Sequence, residues 1–465
     1  MSLSKEILEG SYKGVERLLS QGADINVIDE YGFTPLIHAT VTNRKDIVSL
    51  LLNKNANVHM VDFTGTNALQ WAIDNNNIEL TQLLLNHGAN PNTYSSNGQP
   101  ALFYPILRKN QTLIKMLIDK GAKMDFAKDF IQAKLIGHRF ELQGESDIVT
   151  SEGLFIAIDL EGFYLEFTLG LIKESLERFM QSYVAHRMNI HSNELKIIIK
   201  SFENASQLRE FKHFSKNVDQ NMQTIKQLMD IDLLLLPVSY KGHAINFIKH
   251  GDFLAKCDRG VNKMTDPIVI NTVGRPSLLN TQFYKKLLYE KHTERYMKHD
   301  IYQILNLRTY AKLPIKHQIT GNCSWANTES SVPTMLYMLL HDKIKDPRKV
   351  NALVGDIMAF YYAWLEWDKD RALEDWLLDF DKISFLRQKS KATLIGAVLF
   401  QACHPSKPRD IERAKKILAI LSRKEFQYIV RSYANIFVRA NKSSQGQSFH
   451  QMIEQCGYKL SQFSN

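Results

Sequence analysis

Gly32-Phe-Thr-Pro-Leu-Ile-His-Ala39 is the stretch from which the fold of the first part of the chain can be worked out. Its glycine and its leucine recur at an interval of 33 residues, and so do an alanine and a leucine outside it. The recurring positions are Ala23, Ala56, Ala89 and Ala122; Gly32, Gly65 and Gly98; Leu18, Leu51, Leu84 and Leu117; and Leu36, Leu69 and Leu102. Four sets of positions with one period are hard to obtain by chance, so the sequence predicts a stack of equal structural units.

The period and the residues resemble the ankyrin repeat. Gly32–Ala39 is similar to the family pattern Gly-x-Thr-Pro-Leu-His-x-Ala, and Gly22–Asn26 and Gly88–Asn92 are similar to the turn that ends its second helix. In physical terms, Thr-Pro begins a helix, glycine ends one in the left-handed conformation, and the leucines and alanines fill the space between stacked repeats. The resemblance implies four ankyrin repeats, at about 1–30, 31–63, 64–96 and 97–125.

Ankyrin arrays bind other proteins, so the resemblance implies a protein partner held on the concave helix face and the hairpin tips. Three aromatic residues lie near the tips of the predicted hairpins, Tyr31, Phe63 and Tyr94. Exposed aromatic side chains often anchor a partner. The sequence leaves open whether these three contact a partner or pack within the array.

Composition excludes several classes of protein. The 465 residues are 44% hydrophobic, which is typical of globular domains, and no run of about 18 apolar residues predicts a membrane span. The formal charge of +9 lies outside the nearly neutral first 125 residues, but no dense basic run specifies nucleic acid. Four scattered cysteines without a CxxC pair indicate reduced thiols, with no structural zinc and no disulfide framework. We expect no metal or cofactor, since phosphate-loop, HExxH and dinucleotide motifs are absent. We also expect a monomer.

The rest of the chain is organised around Gly321-Asn-Cys-Ser-Trp-Ala-Asn327. The preceding segment 309–320 contains Pro314 and is predicted to be a loop, whereas the segment after Cys323 is predicted to be a helix. Cys323 would then lie at a helix N-terminus, where unpaired N–H groups and the helix dipole favour a thiolate. The alternative is a buried structural cysteine, which is common for this residue type.

Residues 126–330 are predicted to form an α+β domain with a central antiparallel sheet. Segments 241–248 and 252–257 predict a β-hairpin with its turn at Gly251, and segments 195–199, 231–236 and 267–271 predict further strands. In such a hairpin His243 and Asp258 lie close together at the open end. An imidazole beside a carboxylate can act as the base for a thiol nucleophile. Asn246 is a rival orienting residue, but its strand position faces it away from His243.

These residues resemble the catalytic elements of papain-like cysteine proteases. His243-Ala-Ile245 and Asp258-Arg-Gly260 are similar to the family's histidine and Asn/Asp elements, and Gln318 with Cys323 is similar to its oxyanion glutamine and nucleophile. The resemblance implies that Cys323 attacks a carbonyl, that His243 transfers the proton, that Asp258 orients His243, and that Gln318 binds the oxyanion. The order His, Asp, Cys departs from the family order and implies a circular permutation. Spacing departs as well, because Gln318 lies one residue closer to the cysteine than usual and Ser324 displaces the tryptophan.

Residues 331–465 are predicted to form a helical bundle, because apolar residues recur at helical spacing between charged and proline-containing breaks. The arrangement of ankyrin repeats (1–125), cysteine-protease-like domain (126–330) and helical domain (331–465) resembles the ankyrin-repeat type IV effectors of Legionella. This resemblance implies secretion into the host cytoplasm or nucleus, recruitment of a host protein, and a thiol hydrolase acting on a peptide, isopeptide or amide bond. Two alternatives remain open: a catalytically silent interaction scaffold, and a thiol acyltransferase or deamidase.

Overall fold

The computed structural model describes residues 2–30, 32–96, 98–143, 145–150, 154–159, 163–188, 191–213, 218–260, 266–318, 322–341, 348–440 and 442–463. The chain divides into two compact units, one of residues 1–132 with 213–215 and one of residues 133–212 with 216–465. Each unit is described separately below.

The first unit is built from helix pairs that repeat at the predicted interval. The pairs are Leu3–Leu8 (α1) with Tyr12–Ser20 (α2), Pro35–Val41 (α3) with Lys45–Asn53 (α4), Ala68–Asp74 (α5) with Ile78–Asn86 (α6), and Phe103–Leu107 (α7) with Gln111–Asp119 (α8). The next helix, Met124–Arg139 (α9), belongs to the second unit from residue 133 onward. The recurring leucines Leu36, Leu69 and Leu102 are each at most 2% exposed and belong to one core. The four helix pairs confirm the repeat prediction.

The starts of these helices show how the sequence sets the repeat. Thr34 accepts a hydrogen bond from the backbone N–H of Ile37, with Pro35 in the first helical position. In the third repeat Asn67 takes the place of Thr34 and forms a capping box with Gln70. Both arrangements satisfy N–H groups that have no partner within the helix. The departure from Thr-Pro in the third repeat therefore leaves its helix start intact.

The second unit combines a small sheet with many helices. Its strands are Glu145–Val149 (β1), Phe155–Asp159 (β2), Leu234–Tyr240 (β3), His243–His250 (β4), Phe253–Cys257 (β5), Ile268–Val273 (β6) and Leu307–Lys312 (β7). Its helices are Leu165–Met180 (α10), Tyr183–Arg187 (α11), Ser192–His213 (α12), Met222–Met229 (α13), Thr281–Tyr289 (α14), Ile301–Leu305 (α15), Cys323–His341 (α16), Arg348–Leu377 (α17), Phe385–Ala402 (α18), Pro408–Leu421 (α19), Gln427–Tyr433 (α20) and Ser444–Gln455 (α21). Two π-helical segments, Tyr296–Asp300 and Ala434–Ala440, adjoin α15 and α20.

The five strands β3 to β7 form one antiparallel sheet in sequence order. Lys241 and Gly242 connect β3 to β4, and both have positive φ angles, as a two-residue type I′ turn requires. The β4–β5 hairpin turns at Gly251, and its register pairs Asn246 with Cys257. The predicted hairpin and the predicted third strand are therefore confirmed, and His243 is placed directly after the β3–β4 turn.

Helices cover both faces of this sheet. One face packs against α12 to α15 in a core that includes Ile245 and Phe247 of β4. The opposite face meets α16, whose residues 324–340 are all buried. Because adjacent strand residues point to opposite faces, Asn246 faces α16. Helix α16 is thus the buried element that carries Cys323 to the sheet.

Helices α17 to α21 form most of a second core in this unit, with α18 at its centre. The predicted domain boundary between residues 330 and 331 falls inside the continuous helix α16. A division of the unit into a protease-like domain and a helical domain therefore stays a prediction.

Two local predictions were wrong. Segment 195–199, predicted to be a strand, lies in α12, where Leu195, Ile198 and Phe202 are fully buried at helical spacing. A run of β-branched residues favours a strand locally, but burial along one helix face outweighs that preference. The first part of the predicted loop 309–320 is instead β7, an edge strand paired with β6.

Candidate active site

Cys323 is the first residue of α16 and is only partly buried. Its sulfur lies against the start of β4: the backbone N–H of Ala244 points to Sγ at 3.5 Å, and Gly242 O lies 3.9 Å from Sγ. The helix start and the type I′ turn therefore meet at this sulfur.

His243 and Asp258 lie side by side next to Cys323. His243 Nε2 is 2.8 Å from Asp258 Oδ1. Because this bond occupies Nε2, Nδ1 is the ring nitrogen that can exchange a proton with the Cys323 sulfur. The backbone N–H of Gly260 donates to the same carboxylate oxygen at 3.3 Å. A Cβ atom on residue 260 would lie 3.1 Å from Asp258 Oδ1 and 3.6 Å from His243 Nε2, so glycine allows this close approach.

The electrostatics of the three groups favour an ion pair. The hydrogen bond to Asp258, followed by that to Cys323, raises the pKa of His243 to about 9, although burial opposes the shift. Burial acts to raise the pKa of the Cys323 thiol, but the hydrogen bonds from His243 and the Ala244 N–H outweigh it and lower that pKa. Burial likewise opposes ionisation of Asp258, yet His243 and then Lys256 lower its pKa. A thiolate beside an imidazolium is the expected state at neutral pH.

The other three cysteines, all within the described residues, behave differently. Burial raises the pKa of Cys257 to about 11 and that of Cys403 to about 12, and burial also raises the pKa of Cys456. Cys323 is therefore the one cysteine whose environment promotes the thiolate. Cys257 and Cys403 are buried, whereas Cys323, for which the sequence left a buried structural role open, is only partly buried.

Gln318 lies beside the corner that follows Asp258. Its backbone N–H donates to Arg259 O at 2.8 Å, and its side-chain Oε1 is buried without a hydrogen-bond partner among the described residues. Within that same part of the chain, no hydrogen bond joins Gln318 to Cys323. The oxyanion role of Gln318 stays a prediction based on its position in the sequence motif.

Asn246, the rival orienting residue, contacts a different element. Its Nδ2 donates to Ser331 Oγ at 3.0 Å and lies 3.4 Å from Thr328 Oγ1, both in α16. The ring of His243 thus has Asp258 as its carboxylate partner, and Asn246 ties the sheet to the helix.

Two residues that contact this site were not anticipated from the sequence. Lys256 Nζ lies 3.8 Å from Asp258 Oδ2, with its side chain buried. Asn327 Oδ1 accepts the backbone N–H of Arg259 at 2.6 Å. Strand alternation places Lys256 on the same face as Asp258, and a spacing of four residues places Asn327 on the same helix face as Cys323. Both residues could therefore have been found from their spacing in the sequence.

The predicted partner-binding aromatics are exposed where the structure describes them. Phe63 is 77% exposed and Tyr94 is 62% exposed. Tyr31 lies outside the described residues. Solvent-facing rings of this size on an ankyrin array are available to a partner.

The described residues contain no cluster of three or more His, Cys, Asp or Glu side chains suited to a metal ion. In the same ranges, helices that combine the length and the apolar character needed to cross a bilayer were not found.

Comparisons with known proteins agree with this architecture. A family model described as ankyrin repeats (three copies) matches residues 4–95 and 55–128. A solved structure titled "Structure of Legionella Effector AnkH" matches with a TM-score of 0.81 and 37% sequence identity, covering 99% of this chain and 98% of that chain. No curated protein sequence matches the chain. An identity of this size over nearly the full length of both chains shows that the chain belongs to the family of the Legionella effector AnkH.

Proposed function

We propose that this protein is a translocated effector that joins host-protein recruitment to a papain-like, circularly permuted thiol hydrolase. Its similarity to a Legionella effector over 99% of the chain supports the effector role. The four repeat units and the exposed Phe63 and Tyr94 support recruitment of a host protein. The compartment that we propose for this recruitment is the host cytoplasm or nucleus.

The observation that carries the hydrolase proposal is the selective activation of one thiol. Cys323 has a lowered pKa, lies partly exposed at a helix N-terminus, and contacts His243, which is itself bonded to Asp258. A nucleophile, a base and a residue that orients the base form an arrangement that covalent acyl transfer uses.

The reaction follows from the ion pair. The Cys323 thiolate attacks the carbonyl carbon, and the electron pair of the C=O bond moves to oxygen. The His243 imidazolium gives its proton to the leaving nitrogen as the C–N bond breaks, which leaves an acyl-cysteine. His243 then takes a proton from water while the water oxygen attacks the thioester, so the acid product leaves and the thiolate is restored. Backbone N–H groups at the start of α16, with Gln318, are the proposed donors to the oxyanion.

A peptidyl vinyl sulfone probe tests the nucleophile. We expect the wild type to be labelled at Cys323, and Cys323→Ala and His243→Ala to lose the label. Equal labelling of the wild type and Cys323→Ala would contradict the proposal and favour the scaffold alternative. Cys456→Ala is the matched control, because Cys456 is also partly exposed but has a raised pKa.

An activated acetyl ester separates hydrolysis from acyl transfer. Release of acetate with recovery of free Cys323 would support the hydrolase. An acetyl-Cys323 that is discharged by an added amine, and not by water, would favour the acyltransferase. Both outcomes are read by intact mass of the full-length protein.

A further inference from the structure

The buried face of α16 that meets the sheet is lined with polar side chains at regular intervals. Asn327, Ser331 and Thr334 follow Cys323 by four, eight and eleven residues, and each is fully buried. Ser331 accepts from Asn246 in β4 at 3.0 Å, and Thr334 accepts from Cys257 in β5 at 3.5 Å. The helix is therefore tied to the sheet by hydrogen bonds about one turn apart.

Asn327 differs from the other polar residues on this face because it bonds to backbone on both sides of the candidate site. Its Nδ2 donates to Ala244 O at 2.5 Å, and its Oδ1 accepts from Arg259 N–H at 2.6 Å. Ala244 is the residue after His243, and Arg259 is the residue after Asp258. One amide group thus connects the helix of the thiol to the chain segments of the base and of the carboxylate.

We propose that Asn327 is the positioning residue of the thiol site, which sets the distance of Cys323 from both His243 and Asp258. The inference rests on the proposed function, because it assigns a role within the same Cys-His-Asp arrangement. Asn327 would touch neither substrate nor the reacting atoms, so its effect passes through the backbone of Ala244 and Arg259.

The geometry of an amide explains why asparagine suits this position. A carboxamide presents a donor and an acceptor on one short rigid group, so both bonds fix the strand and the corner relative to the same helix turn. A buried amide is stable only when its polar atoms are bonded, and here both sides of the group are used. Movement of β4 or of the 258–260 corner against α16 would break at least one bond. Small misplacements of a reacting group have large effects on rate.

Ser331 provides a matched control on the same helix face. It is equally buried and also bonds a strand residue, but its partner Asn246 makes no contact with His243 among the hydrogen bonds of the described residues. A general loosening of the helix against the sheet would follow from either substitution. A change in the Cys323 thiolate would follow only from loss of the Asn327 bonds.

The test measures the pH dependence of Cys323 alkylation by iodoacetamide in the full-length protein, read for each cysteine peptide by mass spectrometry. The variants are Asn327→Ser, Ser331→Ala and His243→Ala. A serine is tolerable here, since Ser331 and Thr334 of α16 already bond their hydroxyls to carbonyls four residues earlier. Asn327→Ala is the second variant, and circular dichroism verifies folding.

We expect Asn327→Ser to raise the midpoint of Cys323 labelling by about one pH unit, which slows labelling about tenfold below the midpoint. Ser331→Ala should keep the wild-type midpoint. An unchanged midpoint in Asn327→Ser, or an equal shift in Ser331→Ala, would overturn the positioning role. So would failure of both Asn327 variants to fold, which would assign Asn327 to structure alone.

The same data separate this inference from the proposed function. A wild-type midpoint that His243→Ala raises, but Asn327→Ser does not, overturns the positioning role and leaves the thiol site in place. A wild-type midpoint equal to that of His243→Ala shows that no ion pair exists, and both proposals then fall.

Discussion

Glu329 Oε2 lies 3.4 Å from Arg259 Nη1, and both side chains are less than a tenth exposed. Trp325 Nε1 donates to Glu329 Oε1 at 3.1 Å, and the hydroxyl of Tyr361 donates to Oε2 at 3.1 Å. Arg259 also pairs with Glu141 at 3.0 Å. Arg259, the residue that follows Asp258, is therefore held by two carboxylates, of which Glu329 is buried and Glu141 is 43% exposed.

Stability should fall with rising pH because of Glu329. Burial raises the pKa of Glu329 to about 7, although Arg259 opposes the shift. The folded state then holds a proton that the unfolded state loses from about pH 4.5 upward, so the contribution present at low pH is lost as pH rises through 7. Between about pH 5 and 8 we expect the wild type to lose on the order of 3 kcal/mol relative to Glu329→Gln.

Urea unfolding followed by tryptophan fluorescence measures this difference, since Trp325, Trp364, Trp367 and Trp376 lie in the second unit. Glu412→Gln in α19 is the control, because its carboxylate is exposed. Parallel pH curves for the wild type and Glu329→Gln would show that Glu329 is already ionised in the folded state.

Asp258→Asn should weaken the ion pair while keeping the shape of the side chain. Loss of the carboxylate charge lowers the pKa of His243 from about 9 toward its usual value, and this in turn raises the pKa of Cys323. We expect the thiolate absorbance of Cys323 to appear about one pH unit higher or more, measured as a difference spectrum against Cys323→Ala. Asp252→Asn, in the exposed β4–β5 turn, should leave the spectrum unchanged. If the Cys323 thiolate of Asp258→Asn titrates as in the wild type, Asp258 has no influence on the ion pair.

Phe63→Ala and Tyr94→Ala test the first unit as a recruitment surface. Because both rings are mostly exposed, we expect each substitution to change the free energy of unfolding by less than about 0.5 kcal/mol. Capture of a host protein should weaken at least tenfold if the rings are anchors. Ile118→Ala, at 37% exposure on α8, is the control apolar truncation. Equal capture by all three variants and the wild type would place the partner surface elsewhere.

Sequence periodicity predicted the parts of this protein that depend on local signals. The turn at Gly251 and the helix start at Cys323 each follow from residues a few positions apart, and the leucine and alanine positions of the repeats follow from their recurrence at an interval of 33 residues. The approach of His243 to Asp258 followed from pairing of two adjacent strands. These features need no knowledge of distant contacts.

Other features depend on contacts between distant residues. Segment 195–199 looks like a strand by composition, but it lies in α12, where Leu195, Ile198 and Phe202 are buried at helical spacing. Asn327 lies 83 positions from Ala244, so its bond to that carbonyl could not be inferred from either segment alone. The sequence therefore indicated three residues of the candidate site, Cys323, His243 and Asp258, whereas the bonds of Asn327 beside them became visible only in the structure.

The ion pair between Arg139 and Asp368 offers a test of how buried charge is supported in the second unit. Arg139 Nε donates to Asp368 Oδ2, and both side chains are at most 7% exposed. Asp368 also pairs with Arg371 at 2.7 Å, whereas Arg371 has Asp375 as a second partner at 3.1 Å. Loss of Asp368 therefore leaves the buried guanidinium of Arg139 without its carboxylate partner, whereas loss of Arg139 leaves Asp368 paired with Arg371.

We expect Asp368→Leu to destabilise the protein by about 3–5 kcal/mol and Arg139→Met to cost clearly less, because an unpaired buried charge is the main penalty. The double variant Arg139→Met/Asp368→Leu should recover at least half of the stability that Asp368→Leu loses, because it also removes the unpaired buried charge of Arg139 and replaces the ion pair with apolar groups. Urea unfolding of the four proteins measures the coupling. If the double variant loses as much stability as the two single variants together, the two charges contribute independently. Loss of Asp368 would then not leave an unfavourable unpaired charge on Arg139.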